Sequence, residues 1–171
     1  MNTLIIYGSQ YGTTKRYAEK FAKMTHFPVV SYEDVKILTD YERIIYFGAL
    51  YAGGVKGLKN TVKKLSPSTK LIIVTVGLAD VCDPENISNI RNSIRKQVPE
   101  HLLKAASVFH LRGGIDYSKL NFKHRTMMKM LYHSLKSKPA ESLTQEDKTF
   151  IETYNKKVDF VDYDSLKLIA I

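Results

Sequence analysis

Apolar stretches of strand length alternate with helix-like segments along the first two-thirds of this chain. The apolar stretches are Leu4–Tyr7, Pro28–Tyr32, Arg43–Leu50, Leu71–Gly77 and Ser107–Leu111. Segments with helical spacing of apolar residues separate most of them, in Lys15–Met24, Val55–Leu65 and Glu85–Val98. Parallel strands need long crossover connections, and helices supply them on both faces of the sheet. The pattern therefore predicts an α/β fold with a doubly wound, five-stranded parallel sheet.

The last third of the chain is helical in period. Its predicted helices are Phe122–Lys136, Thr144–Lys157 and Asp164–Ile171, and Thr144 followed by Asp147 is typical of a capped helix start. We expect these extra C-terminal helices to cover the sheet. A length of 171 residues fits one folding unit, so a single domain over residues 1–171 is predicted.

Three turns follow predicted strands and should converge, because ligands of open parallel sheets bind beyond the carboxyl ends of the strands. The candidate binding residues in these turns are Ser9, Gln10, Tyr11, Gly12, Thr13, Thr14, Leu50, Tyr51, Ala52, Gly53, Gly54, Thr75, Val76, Gly77, Leu78, Ala79 and Asp80.

The first turn joins a strand to a helix and is rich in hydroxyls and glycine. Backbone N–H groups at a helix start favour an anion there, and Ser9, Thr13 and Thr14 can add hydroxyl donors. The order Gly12-Thr13-Thr14-Lys15 is neither a nucleotide triphosphatase loop nor a dinucleotide fingerprint. A terminal monophosphate is the ligand that remains, and the alternative is that the hydroxyls only cap the helix.

The second turn places Tyr51 ahead of Ala52, Gly53 and Gly54. The tyrosine could stack on a flat ring while the bare backbone approaches the ring edge, although an aromatic residue before two glycines is also common in plain surface turns. A ring held by Tyr51 needs a second wall. Among these turns, only the third, Thr75–Asp80, is placed to supply it.

These turns resemble those of the flavodoxin-like family, in which the strand order is 2-1-3-4-5 and FMN binds where that order reverses. The family's phosphate loop reads Ser/Thr-x-Thr-Gly-x-Thr; Ser9, Gly12 and Thr14 match it, while Tyr11 replaces the middle threonine. The resemblance implies FMN as the cofactor. It also implies that Tyr51 stacks on the ring, that residues 52–54 meet flavin N5, and that residues 77–80 border the pyrimidine edge.

A narrower resemblance is to flavodoxin-like protoporphyrinogen IX dehydrogenases, which pass electrons from a porphyrinogen to membrane quinones. Those proteins are basic and carry a basic, Met-rich helix after the fifth strand. The segments Asp116–Leu120 and Lys123–Leu131 are similar to that region. An FMN-dependent oxidoreductase is therefore expected, and a non-catalytic electron carrier that docks on a redox partner is the alternative.

The net charge of +9 points to an anionic partner. Six Lys or Arg residues and no acidic residue lie between Lys119 and Lys138, so anionic lipid or the carboxylates of a porphyrinogen are candidate partners, and a solvated basic face is the alternative. Nucleic acid is disfavoured, because no recognition pattern is present. Candidate substrate or partner contacts are Arg112, Lys123 and Arg125. Positive charge should also make the flavin less reducing than in an acidic carrier.

A lone cysteine, Cys82, fits a reducing compartment, and no targeting leader or membrane-spanning stretch is evident. We therefore expect a cytoplasmic protein, with peripheral contact at the inner face of the membrane as a further option. No metal-ligand cluster, nucleophile–histidine set or paired carboxylates stand out, so a bound flavin is expected to carry the chemistry, with no metal.

Overall fold

Parallel strands form the centre of the computed structural model, which describes residues 1–171. The strands of this sheet are β1 (Thr3–Gly8), β2 (Val29–Ser31), β3 (Arg43–Tyr51), the two-residue β4 (Gly54–Val55), β5 (Lys70–Gly77) and β6 (Ser107–Arg112). The five parallel strands are ordered β2-β1-β3-β5-β6, and β4 turns back antiparallel onto the end of β3. Without β4 this is the predicted 2-1-3-4-5 order, so the fold prediction is confirmed.

Strand β3 shows why the interior strands are apolar throughout. It pairs with β1 on one side and β5 on the other, and its residues alternate between two faces that are both buried. Ile44 and Tyr46 pack beneath helices on one face, while Ile45 and Phe47 join the core on the other. Both faces therefore need helical cover, as the uninterrupted apolar run predicted.

The helices are α1 (Thr13–Thr25), α2 (Leu58–Val62), α3 (Pro84–Arg95), α4 (Glu100–Ala105), α5 (Phe122–Lys136) and α6 (Gln145–Thr153). The predicted helix over 55–65 is shorter in the structure, because residues 54–55 pair with β3 and Gly57 adopts a φ of 76°. The predicted helix over 85–98 ends at Arg95, and α4 was not predicted. Helix α5 has the predicted bounds.

The chain beyond β6 differs most from prediction. Helix α6 begins with the predicted capping box of Thr144 and Asp147, but it ends at Thr153. A short antiparallel pair was not predicted, in which β7 (Gly114–Asp116) meets β8 (Lys157–Asp159). The predicted helix over 164–171 is wrong, since residues 163–168 form 3₁₀ turns. Three-residue strands are too short to leave a periodic pattern in the sequence.

Helices α5 and α6 pack on each other around a small core of their own. Met128, Leu135 and Phe150 are buried there beside β7. Met127 and Leu131 on the same helix are 42% and 44% exposed. None of the helices is both long and apolar enough to span a bilayer.

Candidate functional site

A cavity of about 840 Å³ lies beyond the carboxyl ends of β1, β3 and β5, where the three predicted turns converge. Twelve of the predicted binding residues line it: Gln10, Tyr11, Thr13, Thr14, Leu50, Tyr51, Ala52, Gly53, Gly54, Val76, Gly77 and Leu78. The turns therefore meet as the strand order required, and the volume falls in the range typical of small-molecule and cofactor sites.

The other five predicted residues do not line the cavity: Ser9, Gly12, Thr75, Ala79 and Asp80. The Ser9 hydroxyl accepts a hydrogen bond from the Gly12 N–H at 3.1 Å, and Thr75 Oγ1 lies 2.7 Å from His110 Nδ1. Ala79 is buried, and the Asp80 carboxylate accepts from the Cys82 N–H at 2.8 Å. These contacts hold the turns in shape without lining the cavity.

The start of α1 provides an anion site. Gly12 has a φ of 95°, which lets the chain turn directly into the helix. Gly12 is the N-cap residue, so no side chain caps this helix from that position, and no acidic residue lies in its first turn. Thr13 and Thr14 line the cavity at the positive end of the helix dipole. This arrangement fits a phosphate group.

Tyr11, the residue that departs from the family's phosphate loop, points towards α5. Its hydroxyl donates to Met128 Sδ at 3.8 Å, and its ring meets that of His124 edge-on at 6.0 Å between centroids. Burial, followed by the nearby Tyr51 and Tyr117, raises the pKa of Tyr11 to about 12. Tyr11 therefore joins the first turn to the C-terminal helices and does not replace the missing threonine at the anion site.

The second turn is a tight hairpin between β3 and β4. Tyr51 pairs with Gly54 across it, and both residues between them have positive φ, 50° at Ala52 and 76° at Gly53. Helix α3 holds the hairpin, because Ser93 Oγ donates to the Gly53 carbonyl at 2.6 Å. The turn is therefore fixed with Tyr51 at the cavity.

Lys56 is a cation at the site that the sequence did not single out. Its ammonium group hydrogen-bonds Gln10 Oε1 and lies 5.6 Å from the centre of the Tyr51 ring. It thus connects the first and second turns. No motif around Lys56 signals this position, since the contact depends on how the two turns approach.

The wall opposite the sheet is formed by the C-terminal helices. Met127, Met128, Leu131 and Leu135 of α5 line the cavity, with Phe150 of α6. The third turn also lines the cavity, with Val76, Gly77 and Leu78, whereas the contribution of the C-terminal helices was not predicted. The apolar stripe of α5 was visible in the sequence, but its period does not reveal what the stripe faces.

The third turn is held from two sides. Arg112 donates to the Leu78 carbonyl from Nε at 2.9 Å and from a terminal nitrogen at 2.6 Å, and its guanidinium lies 3.8 Å from the centre of the Phe160 ring. From the other side, the Glu146 carboxylate accepts hydrogen bonds from the N–H groups of Leu78 and Ala79. Arg112 therefore supports the turn and does not line the cavity; Glu146, which does, was not predicted.

The two predicted contacts on α5 also lie outside the cavity lining. Arg125 donates to the carbonyls of Tyr117 and Ser118 at 3.2 Å each, and Lys123 is exposed and forms no ion pair. The lysines that line the cavity are Lys96, after α3, and Lys138, after α5. Both are exposed and free of ion pairs. The partner roles of Lys123 and Arg125 stay predictions.

A doubly wound sheet with a phosphate-type helix start and an aromatic residue at its switch point defines a nucleotide-binding α/β protein. A family model described as "Flavodoxin domain" matches residues 4–142, well over half of the chain. The chain therefore belongs to the flavodoxin domain family. This match confirms the predicted family and supports FMN as the cofactor.

Solved structures with a similar fold include three bacterial proteins. A flavoprotein in complex with FMN from Lactobacillus acidophilus NCFM is 12% identical, with 65% of this chain and 91% of that chain covered and a TM-score of 0.44. A putative flavoprotein from Bacteroides eggerthii is 13% identical, with 75% of this chain and 96% of that chain covered and a TM-score of 0.47. A flavodoxin variant from Pseudomonas aeruginosa is 15% identical, with 78% of this chain and 96% of that chain covered and a TM-score of 0.39. No curated protein matches the chain.

Proposed function

We propose that the chain is an FMN-dependent oxidoreductase that oxidises a substrate inside a covered chamber, in the manner of the protoporphyrinogen dehydrogenases. The observation that carries the proposal is the composition of the cavity wall. One side consists of turns suited to FMN, and the other consists of the apolar side chains of α5 and α6. A carrier that only exchanges electrons at its surface has no need of such a cover.

The residues present suit FMN. The uncapped start of α1 would receive the phosphate with Thr13 and Thr14, and Tyr51 would lie against the ring. Bound FMN supplies two-electron redox chemistry, taking reducing equivalents from the substrate and passing them to an acceptor. The protein's own part is to hold the ring and to offer the apolar side chains of Met127 and Leu131 to the substrate.

The substrate class follows from the same wall. Apolar Met127 and Leu131 line the same cavity as two exposed lysines without ion pairs, Lys96 and Lys138. A largely apolar ring system that carries carboxylates meets both requirements, because ammonium groups pair well with carboxylates. A porphyrinogen has this chemistry, and a quinone is a suitable acceptor of its electrons.

The test is to supply the FMN-loaded protein with protoporphyrinogen and a quinone under anaerobic conditions and to follow porphyrin fluorescence. We expect fluorescence to rise with the protein present and to stay at background without it. Lys138→Gln should raise KM roughly tenfold with little change in kcat, because a carboxylate contact of about 1.4 kcal/mol is lost. Lys136→Gln, two residues earlier at the end of α5 and outside the cavity lining, is the matched control.

The alternative function, a non-catalytic carrier docking on a redox partner, is favoured by one observation: exposed apolar side chains lie beside lysines on α5. A protein that binds FMN, yields no porphyrin fluorescence with any quinone, and reduces an added redox protein would support the carrier.

The same face supports peripheral membrane contact. Phe122 is 86% exposed and Met130 is 68% exposed two turns further on, with Lys123 and Lys129 beside them. We call these four residues the outer face of α5. Apolar side chains flanked by lysines suit an anionic bilayer surface, at about 1 kcal/mol per basic residue. We place the protein at the cytoplasmic side of the membrane, where a quinone acceptor is available.

Vesicle flotation tests this contact. Binding to vesicles that contain anionic phosphatidylglycerol should exceed binding to neutral phosphatidylcholine and should fall with salt. Met130→Ser should weaken it, whereas Ile37→Ser, which removes an apolar side chain of the same 68% exposure elsewhere, should not. Equal flotation of both variants would contradict the proposed face.

A further inference from the structure

Two backbone donors of the third turn are occupied by a side chain of the protein itself. The N–H groups of Leu78 and Ala79 each donate to one oxygen of the Glu146 carboxylate, and both distances are 2.9 Å. Leu78 and Glu146 line the cavity. Adjacent N–H groups that share one carboxylate form a charge-assisted pair, which is stronger than neutral hydrogen bonds. The turn therefore carries an anion-type site filled from within.

The third turn does not depend on Glu146 for its shape. Arg112 binds the Leu78 carbonyl, and Asn86 Nδ2 donates to the Asp80 carbonyl at 2.7 Å. These contacts come from β6 and α3 and do not involve Glu146. Removing the Glu146 carboxylate would leave them in place.

Helix α6 does not need Glu146 as a cap either. Thr144 Oγ1 accepts from the Asp147 N–H at 3.1 Å, and the Asp147 carboxylate accepts from the Thr144 N–H at 3.0 Å, so the capping box is complete. The Glu146 side chain is thus not a cap of its own helix. Its contacts lie across the cavity wall, on the turn that the flavin ring is expected to border.

We infer that Glu146 sets the affinity for the cofactor by competing with the polar edge of the flavin ring for the N–H groups of Leu78 and Ala79. The inference rests on the proposed FMN site. The carbonyl oxygens of the flavin ring are hydrogen-bond acceptors, as the Glu146 carboxylate oxygens are. One N–H group cannot form a full-strength hydrogen bond with both acceptors at the same time. Cofactor binding therefore requires the carboxylate to withdraw, which opposes binding.

The test is a titration of cofactor-free full-length protein with FMN and, separately, with riboflavin, followed by quenching of flavin fluorescence. The flavin Kd of Glu146→Ala should be about tenfold lower than that of the unmodified protein, because the two charge-assisted hydrogen bonds that compete with the ring are lost. Glu146→Gln should show a smaller decrease in the same direction. Glu152→Gln removes the same charge from an exposed position on α6 and should change the Kd less than twofold.

Riboflavin separates competition at the ring from general electrostatics, since it lacks the phosphate. A decrease in Kd of equal size for riboflavin and FMN supports the inference, whereas a decrease for FMN alone means that a negative charge was merely removed near the phosphate. Amide hydrogen exchange gives a second readout. The N–H groups of Leu78 and Ala79 should exchange faster in cofactor-free Glu146→Ala and should be protected again when flavin is added.

An unchanged or higher Kd in Glu146→Ala, with FMN still bound, would overturn the inference and leave the proposed function standing. Failure of every form to bind FMN would overturn the proposed function itself, and the inference with it. A thermal melt of each variant checks that the fold is intact before the affinities are compared.

Discussion

His110 should make this protein less stable at mildly acidic pH than at neutral pH. On β6, its Nδ1 lies 2.7 Å from Thr75 Oγ1, and its buried Nε2 has no hydrogen-bond partner. Burial, and then the charge of Arg91, lowers the pKa of His110 from 6.5 to about 4. Between these two values the unfolded chain binds a proton that the folded protein does not. The free energy of unfolding therefore falls as the pH decreases through this range.

The pKa difference sets the magnitude. At about pH 5 linkage gives a loss of about 2 kcal/mol relative to neutral pH. We expect about 1 kcal/mol, since His110 is only partly buried and solvent screens its surroundings. Other groups titrate in this range as well, so the informative quantity is the difference between the unmodified protein and a variant that cannot titrate at this position.

Urea unfolding at about pH 7.5 and about pH 5 measures that difference. The unmodified protein should lose about 1 kcal/mol more than His110→Gln between the two conditions. His101→Gln, which removes an exposed histidine, should follow the unmodified protein. Equal losses in the unmodified protein and His110→Gln would refute the reasoning, because the histidine would then titrate alike in both states.

Three further predictions concern the turns around the cavity. Gly12→Ala and Gly53→Ala should each lower the free energy of unfolding by about 1–2 kcal/mol in urea unfolding, because both glycines have positive φ. The added Cβ would meet open space at both positions, so backbone strain is the expected cause. Only Gly12→Ala should also make inorganic phosphate a weaker competitor of FMN. Tyr51→Leu should raise the FMN Kd roughly tenfold in fluorescence titration, since ring stacking of about 1 kcal/mol or more is lost. Arg112→Lys should lower the unfolding free energy by about 1–3 kcal/mol, because the forked contact with the Leu78 carbonyl is broken; unchanged stability would contradict its supporting role.

The central sheet could be predicted from the sequence because its signals are local. The buried strands β3 and β5 are continuous apolar runs, and helix α5 has a regular apolar stripe with polar flanks. The turns that follow β1, β3 and β5 could be assigned to one site, since parallel order brings their carboxyl ends to the same edge. The family's phosphate loop was recognisable for the same reason, as a short pattern of neighbouring residues.

The sequence by itself thus determined the layers, the strand order and the side of the sheet where a cofactor belongs. Only the tertiary structure decided what closes that side. Tyr11 contacts Met128, which lies 117 residues further along the chain, and Glu146 accepts a hydrogen bond from the N–H group of Leu78, 68 residues before it. Such contacts depend on how the C-terminal helices pack against the turns. The periodicity of a helix does not show which distant residues it contacts. For the same reason Arg112, a plausible anion contact in the sequence, supports a backbone turn in the folded protein.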